Sequence, residues 1–244
     1  MSNVFVYEWC VANGIGSEPG DPLHSLYREG KAMLEAVVAD ACGIERPRPT
    51  TIVIAPETDG ILAERVRFFQ NSGPVICGPS LAAVELTSDK LSLAEHWNAR
   101  GVPTPETWLV ADPRAYRFPC VWKPRDGCGS TSTIRVDSAS EVEAACATLR
   151  REEFVGELIA QPFVPGRPAS VAFLTGPNRI VPLLPTFQRI EPGRFKYLGG
   201  ELPIRHDLAE RAVRLATRAV DCIPGLRGYV GVDLILGDAP DGSE

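Results

Sequence analysis

Apolar positions in the N-terminal part of the chain switch between two periods. Residues 3–9, NVFVYEW, read as a buried strand. After a Gly/Pro loop at 13–22, Leu23, Leu26, Tyr27, Met33, Leu34, Val37 and Val38 recur at helical spacing and predict a helix over 23–41. The β-branched run TTIVIA (50–55) predicts a second strand, ILAERVRFF (61–69) a short amphipathic helix and PVICG (74–78) a third strand. This βαβαβ order predicts a small parallel sheet ending near residue 80.

The pattern then changes. Ser88 reads as the N-cap of a helix with Leu91, Ala94 and Trp97 on its apolar face and Gly101 as its stop. TWLV (107–110) and FPCVWKP (118–124) read as strands, DGCGSTS (126–132) as a loop and TIRV (133–136) as the returning strand. Ser140 and Glu143 predict a capping box for a helix to about Arg151. ELIAQPFV (157–164), ASVAFLTG (169–176) and RIVPLLPTFQRI (179–190) are strand-like, with turns at Gly166 and Asn178. Asp207 and Glu210 open a helix over 208–222, GYVGVDLILGD (228–238) is an apolar strand, and PDGSE is a turn.

Composition narrows the function classes. The chain has 244 residues, 44% hydrophobic and 23% charged, which is ordinary for a globular protein. No apolar run reaches the roughly 18 residues that would cross a bilayer. The start, MSNVFVYEW, lacks the basic patch and cleavage site of a signal peptide, so a cytoplasmic protein is expected. A net charge of −6 argues against nucleic acid or anionic membrane as the main partner. Seven cysteines without a CxxC pair give neither a zinc ribbon nor a disulfide framework, and read as reduced thiols. Cys128, in the glycine-rich loop, reads as a small filler.

The sharpest local signal is WKPRDGCGSTSTIRV. A lysine near the end of an apolar strand precedes a loop of glycines and hydroxyl residues, then a β-branched strand. Glycines let backbone N–H groups approach a phosphate, and hydroxyls add donors. The P-loop pattern is absent, and a strand rather than a helix follows. What remains is a hairpin lid over phosphates with Lys123 pointing at them, or a solvated hairpin with a surface lysine. Between Trp122 and Pro124 a buried lysine is costly without an anionic partner. The same cost applies to Asp233, between Val232 and Leu234, unless that strand face is solvated.

Taken in order, these segments resemble the ATP-grasp superfamily from about residue 3 to the end. SDKLSLAEHWNARGVPTPETW resembles the helix that opens before the family's lid, with Lys90; VWKP resembles its lid strand, with Lys123. DGCGSTS resembles its phosphate loop, LIAQPFVPG its adenine hinge and GVDLIL the strand bearing an acidic metal ligand. The resemblance implies an α/β ATP-grasp architecture. Its parts are an N-terminal parallel α/β domain at 1–86, an α+β lid at 87–160 and a C-terminal antiparallel-sheet α+β part at 161–244. It implies that Lys90, Lys123, Gly127, Gly129, Ser130, Thr131 and Ser132 hold the phosphates. Gln161, Pro162, Phe163 and Val164 would touch adenine, and Asp233 would bind Mg²⁺, with Mn²⁺ allowed. APETDGIL, SLYREGKAM, the SDK segment and YLGG further resemble a group of small-amine ligases.

The implied function is an ADP-forming ligase that joins a small carboxylate to an amine through an acyl phosphate. Its rivals are a nucleotide-binding module without catalysis and an ATP-grasp kinase or carboxylase. A homodimer is allowed. Arg189, Arg194, Lys196 and Arg205 cluster around YLGG, where with Gly199 and Gly200 they are candidates for the substrate carboxylate or the transferring phosphoryl group, Arg189 and Arg205 as catalytic groups. A solvated basic loop is the competing reading. Glu57 and Asp59, after the second strand, are candidates for a substrate ammonium group, with a helix N-cap competing for Asp59 and with Glu8 as a weaker candidate. Two departures from the family stand out. Pro168 replaces an acidic ribose ligand, a role left to Glu157 or Gln161. The chain also stops before the strand whose Glu-x-Asn pair completes the metal site, so the C-terminal part is expected to be incomplete.

Overall fold

The β-branched segments near the N-terminus pair as their pattern predicts. β1 (Val4–Glu8), β2 (Thr50–Ile54) and β3 (Val75–Ile76) form a parallel sheet in the order β1-β2-β3, with Val6 opposite Ile52. The computed structural model describes residues 4–44, 48–112, 117–127, 129–191 and 195–237. It divides into two compact units, Met1–Glu85 and Leu86–Glu244. Cys128, Arg194 and the PDGSE segment lie outside the described residues.

In the first unit the helices are α1 (Trp9–Asn13), α2 (His24–Ala41) and α3 (Ile61–Asn71). β1 ends at Glu8 because its buried carboxylate turns back to accept from the backbone N–H of Cys10 (3.2 Å) and Val11 (2.8 Å), capping α1. This employs Glu8 structurally and removes it from the substrate candidates. Gly30 of α2 lies directly against it: a Cβ there would come within 2.6 Å of the Glu8 carboxyl. Gly30→Ala is therefore expected to cost about 1–3 kcal/mol of stability by overpacking. That outweighs the ~1 kcal/mol that alanine gains over glycine in a helix. A urea midpoint equal to the native one would show that the contact is slack.

The second unit holds two antiparallel sheets. The first comprises β4 (Trp108–Leu109), β5 (Cys120–Pro124), β6 (Ile134–Val136) and β7 (Leu158–Pro162), in the order β4-β7-β5-β6. Its inner face buries Trp122, Cys120, Val136 and Ala160 against Ala145 and Leu149 of α6 (Val142–Arg151). The second comprises β8 (Arg167–Thr175), β9 (Ile180–Pro182), β10 (Thr186–Ile190), β11 (Tyr197–Glu201) and β12 (Gly228–Leu236). Its order is β11-β10-β8-β12, with β9 also on β8. α7 (His206–Asp221) covers one face, packing Ala212, Leu215, Ala216 and Ala219 on Val171, Phe173, Phe187 and Leu234. α4 (Leu81–Ser88) runs into α5 (Lys90–Asn98). α5 is bolted to the end of α7: the Trp97 indole donates to Ala219 O (3.1 Å), and His96 Nε2 lies 2.8 Å from Cys222 O.

This mixed α/β architecture is the one expected. Several local expectations fail for identifiable reasons. The cap of α5 is Asp89, not Ser88, which instead ends α4, a helix whose apolar run has no clean periodicity. The capping box at Ser140 and Glu143 does not form. Residues 139–141 take a 3-10 turn, the Ser140 hydroxyl pairs with that of Ser138, and Glu143 accepts from Arg150. The helix at 206–221 likewise has no side-chain cap, and Asp207 pairs with Arg205. The single strand at 179–190 is two, β9 and β10, because Pro182 and Pro185 lack the N–H a ladder needs. No helix among the described residues is long and apolar enough to cross a membrane.

Candidate active site

Strand alternation sets the polarity of β5. Cys120 and Trp122 enter the core, so Lys123 points to the opposite face, paired across the ladder with the fully buried Ile159. Lys123 is half-buried, and burial pulls its ammonium down to about 8, assisted by the charge of Lys90 and opposed by that of Asp233. Those three charges, from β5, the start of α5 and β12, therefore share one electrostatic environment. Lys90 Nζ donates to Gly127 O at 2.7 Å, which ties the start of α5 to the loop after β5.

That loop holds backbone conformations that side chains rarely adopt. Gly127 and Gly129 have φ of 96° and 71°, and Ser130 and Ser132 follow at 58° and 51°. Positive φ at these residues turns the chain tightly and leaves backbone N–H groups outside any strand ladder. Ser130 and Thr131 are exposed. The Ser132 hydroxyl, by contrast, is buried and donates to Glu152 Oε2 at 2.7 Å, so its backbone rather than its side chain is available to a ligand.

At the other end of the same sheet lies the segment 161–164. Gln161 donates through Nε2 to Thr107 Oγ1 (2.9 Å), and Pro162 faces Cys120 in the ladder. The Phe163 N–H donates to Pro119 O (2.9 Å), and the guanidinium of Arg135 lies 3.8 Å from the Phe163 ring centroid. Val164 is exposed. Gly166 closes the turn with φ 152°, where a Cβ would meet Ile235 and the Leu236 carbonyl within 2.7 Å. Glu157 directly precedes this segment's strand at the far end, about 16 Å from Pro162 at ~3.3 Å per residue, and Arg125 Nη1 donates to it at 2.8 Å.

Asp233 stands on the face of β12 opposite the α7 core, across from Ser170, and Gln188 Nε2 donates to its Oδ1 at 2.9 Å. The tip of its side chain reaches water, but the surrounding sheet still desolvates the carboxyl enough to raise it. The Gln188 amide and the charge of Lys123 pull it the other way. Among the described residues no three His, Cys, Asp or Glu side chains gather as a metal cluster. A lone carboxylate whose charge acts on Lys123 suits Mg²⁺, which commonly takes one or two protein carboxylates and completes its shell with phosphate oxygens and water.

Arg205 is exposed and forks onto Asp207 (2.9 and 3.3 Å). Arg189 alternates away from Gln188 and lies beside Gly199, so neither arginine joins the charges acting on Lys123. Gly199 and Gly200 lie on the edge strand β11, where a Cβ at Gly200 would strike Thr186 at 2.6 Å, and Lys196 precedes that strand, exposed. Glu57 and Asp59 sit in the first unit, in the turn between β2 and α3. Asp59 takes a left-handed φ of 54°, and α3 is capped by Gly60 without a side-chain bond, so the N-cap alternative for Asp59 is not realised.

Sequence reading missed Asp89, Arg125, Gln188 and Arg135. Only Asp89 carried a local signal, as an N-cap residue type directly before Lys90.

Comparison with known proteins bears out the family expected from the sequence. A sequence model of the ATP-grasp domain matches residues 87–242. The chain belongs to the ATP-grasp family. It is 31% identical over 191 residues to tyramine–L-glutamate ligase of Methanocaldococcus fervens, spanning 77% of this chain and 54% of that protein. It is 29% identical to the Methanocaldococcus jannaschii counterpart over 189 residues, 76% and 50% of the two chains. The chain thus spans about half the length of the curated relatives it matches. Among solved structures, a protein of Archaeoglobus fulgidus assigned to the ATP-grasp superfamily superposes with a TM-score of 0.69 at 24% identity, covering 96% of this chain and 77% of that one. The D-Ala:D-Ser ligase VanG of Enterococcus faecalis gives 0.65 at 18%, covering 82% and 62%. The solved structures agree with the expected ATP-grasp fold, and the two tyramine–L-glutamate ligases agree with the small-amine-ligase resemblance.

Proposed function

We propose that this chain carries the ATP-handling centre of an ADP-forming ligase that joins a carboxylate to an amine. The observation that carries the reading is the meeting of Lys90 and Lys123 with Asp233 of the second sheet, beside a loop that is left-handed at Gly127, Gly129, Ser130 and Ser132. The names of the curated relatives support the class of reaction, and a small amino-acid-like carboxylate with a small amine is the substrate pair we favour. In this reading residues 1–86 form the N-terminal domain, 87–160 the lid and 161–244 the C-terminal part.

A carboxylate is a poor acyl donor because its leaving group would be an oxide. Lys90, Lys123 and the N–H groups of Gly127, Gly129, Ser130, Thr131 and Ser132 hold the triphosphate, while Gln161, Pro162, Phe163 and Val164 line the base. A substrate carboxylate oxygen attacks the γ-phosphorus, the bond to the bridging oxygen breaks, and ADP leaves with the electron pair. The two lysines balance the charge of two anions brought together. The amine nitrogen then attacks the acyl carbon, the C–O bond to phosphate breaks, and the nitrogen loses a proton. Mg²⁺ or Mn²⁺ bound by Asp233 would neutralise phosphate charge. In the second unit the basic group at Arg189, Lys196 and Arg205, with Gly199 and Gly200, would take a substrate carboxylate; in the first unit Glu57 or Asp59 would take an ammonium group. The cytoplasm suits the six free cysteines among the described residues.

ADP release that requires both a carboxylic acid and an amine is the expected result in a coupled assay. Release of AMP and pyrophosphate would sink the reading.

A further inference from the structure

Two lysines brought side by side repel each other, so something must hold them there before an anion arrives. The nearest candidate is Arg125, two residues beyond Lys123. Its fork meets both oxygens of Asp89, Nε to Oδ1 at 2.9 Å and Nη2 to Oδ2 at 2.6 Å, while Nη1 meets Glu157. Asp89 is also the N-cap of α5, accepting from the backbone of Leu91 and Ser92 and from the Ser92 hydroxyl, and the next residue is Lys90. The main chain repeats the link: Lys90 N donates to Arg125 O at 3.0 Å, and Arg125 N to Glu157 O at 2.9 Å. One guanidinium thus joins the helix that carries Lys90 to the strand that carries Lys123.

We propose that Arg125 and Asp89 are a positioning pair that sets the separation of Lys90 and Lys123 and keeps the Asp89 carboxylate from neutralising them. Both side chains are about one-third or less exposed, so the fork is only partly screened by water. Asp89 is held well below the usual carboxylate range, chiefly by its bonds to Arg125, and is therefore a full negative charge at any working pH. Without Arg125 that charge, one residue from Lys90, turns toward the lysines and competes with phosphate. Neither residue has to touch the nucleotide. The inference rests on the nucleotide site proposed above.

ATP affinity, measured by calorimetry on the whole chain with Mg²⁺ in excess, separates this from a purely structural ion pair. Arg125→Met is expected to weaken ATP binding about tenfold, as loss of one charge-assisted contact would. Adding it to Lys90→Met should cost less than about twofold more, because Arg125 acts through that lysine. Asp89→Asn in the Arg125→Met background should recover only the part of the affinity lost to capture of a lysine by the Asp89 carboxylate, since asparagine still caps α5 but carries no charge. If Arg125→Met does not fold, Asp89→Asn alone, combined with Lys90→Met, carries the same cycle. Penalties that multiply with Lys90→Met, or native affinity in Arg125→Met, overturn the proposal. A native chain that does not bind ATP overturns the nucleotide site itself.

Discussion

Lys123→Met is expected to weaken ATP binding by about two orders of magnitude while leaving the fold intact. A unit charge about 4 Å from a phosphate oxygen is worth about 4 kcal/mol at an effective dielectric constant near 20, and part of that is returned when the buried ammonium no longer needs to be desolvated. Methionine keeps the length and the apolar stem, so β5 retains its packing. The pH dependence gives an independent readout. Because the ammonium titrates near 8, ATP affinity should hold steady below that pH and fall above it. Binding near pH 8 should also take up a proton, seen as a dependence of the calorimetric enthalpy on the buffer. The sign for stability is opposite. Between about 8 and the unfolded value of 10.5 the unfolded chain binds more protons, so native stability rises with pH across that window. The rise should vanish in the variant. An unchanged ATP dissociation constant would remove Lys123 from the site.

Asp233→Asn is expected to uncouple nucleotide affinity from Mg²⁺ and to lower turnover by about a hundredfold or more. The amide keeps the size of the carboxylate and can still accept from Gln188, but gives a divalent cation no charge. In the native protein, Mg²⁺ should tighten ATP. In the variant, ATP affinity should be the same with Mg²⁺ as with a chelator. Burial raises the carboxyl, so the native fold binds more protons than the unfolded chain just above 3.8, and stability falls as pH rises through that region. The variant should therefore melt no lower than the native protein at neutral pH. A variant that loses activity and stability together would point to a structural role instead.

The parts of this site that were legible in sequence are those where one residue contradicts its neighbours. Lys123 and Asp233 stand out because each interrupts an apolar strand, and the loop at 126–132 because glycines and hydroxyl residues crowd together. The proline break between β9 and β10 was also written in the chain, at Pro182 and Pro185, although the apolar run around it suggested one strand. What could not be read were contacts between distant segments. Asp89 and Arg125 are 36 residues apart, and either alone looks like an ordinary surface charge. Gln188 meets Asp233 across 45 residues, and Ser132 meets Glu152 across 20. Arg189 shows how strand alternation divides a basic group. Composition grouped it with Lys196 and Arg205, but a period of two along β10 turns it from the face that carries Gln188.

The division after Glu85 has a consequence for how such a protein changes over time. All the residues proposed to handle the nucleotide, from Lys90 to Asp233, follow that boundary, and Glu57 and Asp59 precede it. With Glu57 or Asp59 as the proposed ammonium contacts, a lineage can change that contact in the first part while inheriting the proposed phosphate-handling residues unaltered in the second.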